Sequence, residues 1–251
     1  MKNSYLKIDN AISVNSSKKL FKYFIRLINF YEPNFNRNKI KFSGWEDEEF
    51  NNKLIDLRKK DKKKFSSIYD TMKLSNVLNY LPYENKLQKI ASKFLDINED
   101  KLGVRGIQFR IDVPNDKRNV YGWHQDNAYD NFNINSKNGV IFWIPLINTN
   151  KKNGTLIVKP GSEFSNSNCS YVKSKTSKFK SQQILVKKKF LEKYKDKHVS
   201  VKRRQALLTY SGIFHKSGEN ISNKIRFTII MRYNNIFSKD FMYYRNLKKQ
   251  I

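Results

Sequence analysis

Ile225-Arg226-Phe227-Thr228-Ile229-Ile230-Met231-Arg232-Tyr233 is rich in β-branched and aromatic residues and holds no Gly or Pro, so it reads as a β-strand. Side chains alternate across a strand, which sets the large apolar residues Phe227, Ile229 and Met231 on one face. Arg226, Thr228 and Ile230 share the other face, turned into the space the strand helps to enclose. A lone guanidinium there is costly unless an anion meets it. A dicarboxylate could be that anion, because Arg holds carboxylates in a bidentate fork.

Working outward, residues 104–113, 139–148, 155–159 and 205–210 are further short runs rich in Ile, Val, Phe, Thr and Tyr. Turn-like stretches separate them: Pro114-Asn115-Asp116, Lys151-Lys152-Asn153-Gly154 and Pro160-Gly161-Ser162. Several short strands with no helices between them predict an antiparallel barrel or a double-sheet jelly roll. The first hundred residues read as helical instead. Ser16-Ser17 can cap a helix whose Leu20, Phe21, Phe24, Ile25, Leu27 and Ile28 follow helical spacing. Residues 46–60 form a second, strongly charged helix. A third spans 84–95, with Leu87, Ile90, Ala91 and Phe94 on one stripe.

Helices followed by strands can mean two domains or one jelly roll with a helical layer outside it. The apolar stripes favour the second, because they need a surface to cover. The expected class is α+β with a mainly β core: one domain over 1–251, helical over 1–100, with the catalytic core over 101–236. Within that core, 163–202 is polar and Lys-rich and reads as an insertion or a lid. Residues 237–251 read as a tail or a terminal helix.

The 50 Lys and Arg against 22 Asp and Glu give a net charge of +28, which raises nucleic-acid binding as an idea. The lysines are dispersed, however, and the chain is equally crowded with Asn and Ile, which share A/T-rich codons with Lys. A solvated basic surface is the favoured reading, nucleic acid is the rival, and an anionic substrate is compatible with either. No run of about 18 apolar residues spans a membrane, and the N-terminus has no apolar signal region. Cys169 is the single cysteine, which excludes a disulfide framework and a cysteine zinc site. A cytoplasmic protein is the expectation; the oligomeric state is open.

Of the three histidines, His124 sits in Tyr121-Gly122-Trp123-His124-Gln125-Asp126. In extended chain, residues two apart project to one side, so His124 and Asp126 can address one metal ion. Imidazole plus carboxylate supplies two of three ligands of a facial triad, which leaves positions open for co-substrate and oxygen. His215 follows a predicted strand at a Gly-bounded turn, Ser211-Gly212-Ile213-Phe214-His215-Lys216-Ser217-Gly218, and Arg226 lies eleven residues beyond it. His198, in a basic stretch with no partner pattern, reads as surface.

His124-Gln125-Asp126, the distal His215 and Arg226 at that spacing resemble the iron and 2-oxoglutarate signature of the phytanoyl-CoA dioxygenase family. Trp143, in Phe142-Trp143-Ile144-Pro145-Leu146, resembles the family's tryptophan lining the 2-oxoglutarate pocket, although a core role would explain it equally. Ser217 resembles its co-substrate-binding serine. Asn153-Gly154-Thr155-Leu156-Ile157-Val158-Lys159-Pro160-Gly161-Ser162 is similar to its turn and strand ending in Pro-Gly-Ser. The next residue, often His in the family, is Glu163, a departure that touches loop packing rather than the metal ligands. The resemblance covers residues 104–233. It implies a double-stranded β-helix, a cupin-like jelly roll, that binds iron(II) and consumes 2-oxoglutarate and O2. It also implies hydroxylation of a small organic metabolite, since Asp126 vacates no ligand position for halide. Gln108, Arg110 and Asp112 alternate with Ile107, Phe109 and Ile111. They form either an exposed sheet face or, for Gln108 and Arg110, part of the pocket, with Gln108 toward co-substrate and Arg110 toward substrate. Tyr129, just past the metal motif, is a further pocket candidate. A cupin-type metal protein or isomerase would share the metal site without needing Arg226.

Overall fold

The computed structural model describes residues 4–129, 132–165, 171–173 and 183–243. The chain opens with strand β1 (Tyr5–Ile8) and continues in helices α1 (Val14–Tyr31), α2 (Glu48–Lys60), α3 (Lys62–Met72), α4 (Asn76–Asn79) and α5 (Asn85–Leu95). There follow β2 (Leu102–Val104), β3 (Gln108–Asp112), β4 (Phe132–Asn133), β5 (Gly139–Pro145), β6 (Leu156–Lys159), β7 (Tyr171–Lys173) and β8 (Ile184–Val186). The short helix α6 (Lys188–Leu191) leads to β9 (Lys197–Val199), β10 (Ala206–Tyr210), β11 (Phe214–Ser217), β12 (Arg226–Asn235) and β13 (Phe241–Met242).

Side-chain caps set where the helices start. Ser13 rather than Ser16 begins α1, its Oγ accepting the Ser16 N–H at 2.9 Å. Asp47 caps α2 by accepting from Phe50 N, with Glu48 and Glu49 in the first turn and Arg58 to Lys60 in the last, both favourable to the helix dipole. Asp61 ends α2 and caps α3 by accepting from Lys64 N at 2.8 Å. The single charged helix expected at 46–60 is therefore followed at once by another.

The strands pair antiparallel in every sheet. A six-stranded sheet runs in the order β1-β10-β5-β12-β2, with β3 also paired to β12, and a three-stranded sheet runs β11-β6-β9. The alternation read from residues 225–233 divides the large sheet's two faces. On the outer face Phe109, Ile111, Phe142, Phe227, Ile229 and Met231 join one buried cluster with Leu20, Phe24 and Ile28 of α1, Phe50 and Leu54 of α2, and Phe65 and Ile68 of α3. Trp45 packs on Phe227 with ring centroids 4.9 Å apart, and Phe24 meets Phe109 edge-on at 5.4 Å. Each side chain buried this fully contributes roughly 1.5–3 kcal/mol. On the inner face Ile141, Trp143, Leu207 and Ile230 meet Leu156 and Val158 of β6 and Val199 of β9 in a second cluster.

The structure departs from the sequence reading in several places. Tyr5–Ile8, inside the stretch expected to be helical, is a strand paired to β10. The single strand expected over 104–113 is two, β2 and β3, separated by Gly106 at a φ of +34°. The insertion expected over 163–202 contains β9, which belongs to the three-stranded sheet through Leu156↔Val199. Residues 166–170 and 174–182 of that insertion, and residues 244–251 of the expected tail, lie outside the described residues. Within 237–243 the chain turns and then forms the two-residue strand β13, paired to β4, rather than a helix. No helix among the described residues is long and apolar enough to cross a membrane.

Candidate metal centre

The segment 121–126 lies along β11 as an extra extended strap. His124 N donates to His215 O at 3.0 Å, His215 N donates to His124 O at 3.1 Å, and Ser217 N donates to Tyr121 O at 3.1 Å. At its far end Asp126 N donates to Ser211 O at 3.0 Å, where the chain turns into a 3-10 helix (Asp126–Ala128). This pairing sets the two histidines opposite each other, with ring centroids 4.1 Å apart. It also corrects one detail: His215 lies within a strand, paired to Val158 of β6, and not at the turn after one.

His124 Nε2 is 3.7 Å and His215 Nε2 is 3.9 Å from Asp126 Oδ1. All three side chains are buried, and their ligand atoms lie within 4.8 Å of one another. His124 Nδ1 is 2.8 Å from Gly122 O, and His215 Nδ1 is 3.0 Å from Ile213 O. A carbonyl oxygen only accepts, so each Nδ1 carries the proton and each Nε2 turns a lone pair inward. Burial and the neighbouring His215 push His124 down to about 3, and burial lowers His215 as well. Burial alone would raise the Asp126 carboxyl, but Arg232 and the two imidazoles outweigh it and hold it well below the usual carboxylate range. Two lone pairs and one anionic oxygen therefore converge, and no donor among the described residues lies between them. Buried acceptors in that arrangement are unfavourable until a cation joins them, and two imidazoles with one carboxylate are a facial set that suits iron(II).

Arg232, which the sequence reading did not single out, completes the centre. Its Nε donates to Asp126 Oδ2 at 2.6 Å, leaving Oδ1 to face the imidazoles. It lies two residues beyond Ile230 on the face that carries Arg226 and Thr228, so one more step of the same alternation would have reached it.

A cavity of about 230 Å³ opens over the three ligands, and Arg105, Gln108, Arg110, Tyr121, Tyr129, Trp143, Ser217 and Arg232 are among the residues lining it. Trp143 and Ser217 are buried, and Ser217, two residues past His215, projects to the same side of β11. Gln108 sits exposed at the mouth, its Oε1 accepting from Arg232 Nη2 at 3.4 Å. Tyr129 is half-buried, and its hydroxyl accepts the Ile184 N–H at 3.0 Å. His198 is exposed on β9. Glu163 holds its own turn, with Oε2 accepting the Gly161 N–H at 2.9 Å.

Arg226 corrects the sequence reading. It is buried in the interior as expected, but it is not a lone guanidinium. Its Nε and Nη2 donate to Asp112 Oδ2 at 3.1 and 2.9 Å, and its Nη1 donates to Gly218 O at 3.1 Å and Asn153 O at 3.4 Å. Asp112 is its register partner across the β3–β12 pair. Arg226 does not line the cavity over the metal ligands.

Among curated proteins no sequence matches the chain. Solved structures match its fold at low identity. The epimerase SnoN in complex with Fe3+, alpha ketoglutarate and nogalamycin RO matches with a TM-score of 0.59 at 10% identity, over 93% of this chain and 80% of that one. The non-heme monooxygenase ThoJ gives 0.57 at 13% identity, over 93% and 74%. AviO1 from Streptomyces viridochromogenes Tue57 gives 0.56 at 16% identity, over 95% and 93%. The family described as phytanoyl-CoA dioxygenase (PhyH) matches residues 8–228, a span that includes the helical layer, the three-stranded sheet, the large sheet except most of β1 and β12, and all three candidate ligands. A buried His-Asp-His set inside a match of that extent places the chain in the phytanoyl-CoA dioxygenase family.

Proposed function

We propose that the protein is an iron(II)- and 2-oxoglutarate-dependent dioxygenase that hydroxylates a small organic metabolite. The observation that carries this reading is the donor set itself: two neutral imidazole Nε2 atoms and one carboxylate oxygen, buried together on one side of a cavity. We read the two facing sheets as a double-stranded β-helix, and the whole chain as one domain joined by the cluster that ties the helices to the large sheet.

His124, Asp126 and His215 hold the metal. Iron(II) bound there would supply the activation of O2 that couples oxidative decarboxylation of 2-oxoglutarate to attack on a substrate C–H bond. Gly122 O and Ile213 O fix the imidazole tautomers, so no proton has to leave a ligand nitrogen before metal binds. Arg232 keeps Asp126 ionised and turned. Trp143 and Ser217 line the side where the co-substrate would lie, with Gln108 at the mouth, and Tyr129 is assigned to the substrate.

The test is succinate formation by anaerobically iron-loaded protein after addition of 2-oxoglutarate and oxygen. Wild type is expected to form succinate slowly without substrate, and Asp126→Ala to form none above the metal-free control. Full turnover by Asp126→Ala overturns the assignment. SnoN is described as an alpha ketoglutarate dependent epimerase, so epimerisation is the second reading. Label from 18O2 appearing in the product supports hydroxylation, and its absence favours epimerisation.

A further inference from the structure

Asp112, Arg110 and Arg226 form a buried triad with one charge too many. Arg226 donates twice to Asp112 Oδ2, and Arg110 Nη2 lies 3.2 Å from Asp112 Oδ1. Among the described residues Asp112 is the carboxylate paired with either arginine. Two guanidinium groups sharing one carboxylate leave one positive charge, in surroundings where all three residues are 9% exposed or less. Burying an uncompensated charge is expensive, so the triad is built to receive an anion.

The two arginines differ in what they have left to give. Arg226 is engaged with Asp112, Gly218 O and Asn153 O and does not reach the cavity. Gly154, at a φ of +85°, has no side chain because a Cβ there would strike Arg226 Nη1 and lie 2.5 Å from Gly218 O. Arg226 is thus a clasp between β12, the 150–154 turn and the end of β11. Arg110 lines the cavity beside His124, His215 and Ser217. Its Nη2 donates to Ser217 Oγ at 3.3 Å and to Asn119 O, but its Nε is buried with no acceptor. The spare charge of the triad and its incompletely bonded guanidinium both fall on Arg110, the member that lines the cavity, which is where an anion would be met.

We infer that Arg110 on β3, rather than Arg226, meets the distal carboxylate of the 2-oxo acid co-substrate, with Ser217 beside it and Arg226 serving as counter-ion to Asp112. This rests on the oxygenase reading above. It moves the acid-binding guanidinium from the strand that carries the family spacing to the neighbouring strand.

The experiment compares two acids of equal length, 2-oxoglutarate and 2-oxopentanoate, which differ only in the distal carboxylate. Dissociation constants are measured calorimetrically, without oxygen, on iron(II)-loaded protein. Wild type is expected to prefer the diacid by roughly 10- to 100-fold, the range of a charge-assisted hydrogen bond. Arg110→Gln should erase that preference while leaving 2-oxopentanoate binding unchanged, and Arg226→Lys should keep it. The fold should survive Arg110→Gln, since Arg226 and Asp112 remain as a neutral pair. If its melting curve shows otherwise, Arg110→Lys replaces it, with a reduced preference expected. A full preference in either Arg110 variant, or its loss in a folded Arg226→Lys, overturns the assignment. Wild type that binds both acids equally overturns it too, but leaves the iron and 2-oxo acid reading standing. Wild type that binds neither removes both.

Discussion

His124, Asp126 and His215 were read from the sequence through the family resemblance that their identity and spacing carry together with Arg226, and the strap along β11 brings the three together. The roles of Arg232 and Asp112 were not, because they depend on which strands lie side by side, and register is a property of the folded sheet. Arg232 touches the candidate ligand Asp126 directly. Arg232→Met removes a cation that repels iron but frees Asp126 Oδ2 from the 2.6 Å contact that orients it. Orientation dominates in such supporting positions, so iron(II) affinity should fall roughly 10- to 100-fold in a chelator competition; unchanged or tighter binding would show that Arg232 only balances charge. Asp112 offers a test by pH. Burial alone would raise its carboxyl, but Arg110 and Arg226 outweigh burial and hold it below the ordinary value of 3.8. The folded chain then binds fewer protons than the unfolded one, so this stabilisation is complete at neutral pH and is lost as pH falls through the depressed range below about 4. Asp112→Asn should cost about 3–5 kcal/mol at pH 7 by stranding two buried guanidinium groups. The gap to wild type in denaturant titrations should narrow toward pH 3, and a gap that stays constant would contradict the triad.

At the scale of elements, long patterned runs were readable and short ones were not. β12 declared itself by alternation, and α1 and α5 by apolar stripes. Tyr5–Ile8 has neither signal: four residues at a sheet edge, with Leu6 and Lys7 exposed, show no alternation. Lys197–Val199 buries only Val199, so the strand that completes the small sheet reads as basic loop. Gly106 divides one apparent strand into two, which a pattern of apolar residues cannot show. The 150–154 turn is held in place through Arg226. Gly154→Ala combines a φ of +85° with a clash against the Arg226 guanidinium, so it should destabilise the protein by more than about 1 kcal/mol. A melting temperature equal to wild type would mean that the clasp is dispensable.

For the whole molecule, the order helices-then-strands left the number of domains to inference, and the packing gives that inference its support. Trp45, Phe50 and Phe24 from the helical region interlock with Phe227 and Phe109 of the large sheet. Unfolding followed by helical circular dichroism and by tryptophan fluorescence should give one coincident transition; two separated transitions would divide the chain into two domains. The net charge of +28 has a local counterpart in the arginine-lined cavity, whose geometry the composition could not convey. Whether His124, Asp126 and His215 hold one iron is tested most directly by metal stoichiometry. After anaerobic loading and desalting, wild type should retain one iron(II) per chain and His215→Ala essentially none, with both proteins melting as folded chains. A folded His215→Ala that retains a full equivalent of iron would contradict the account.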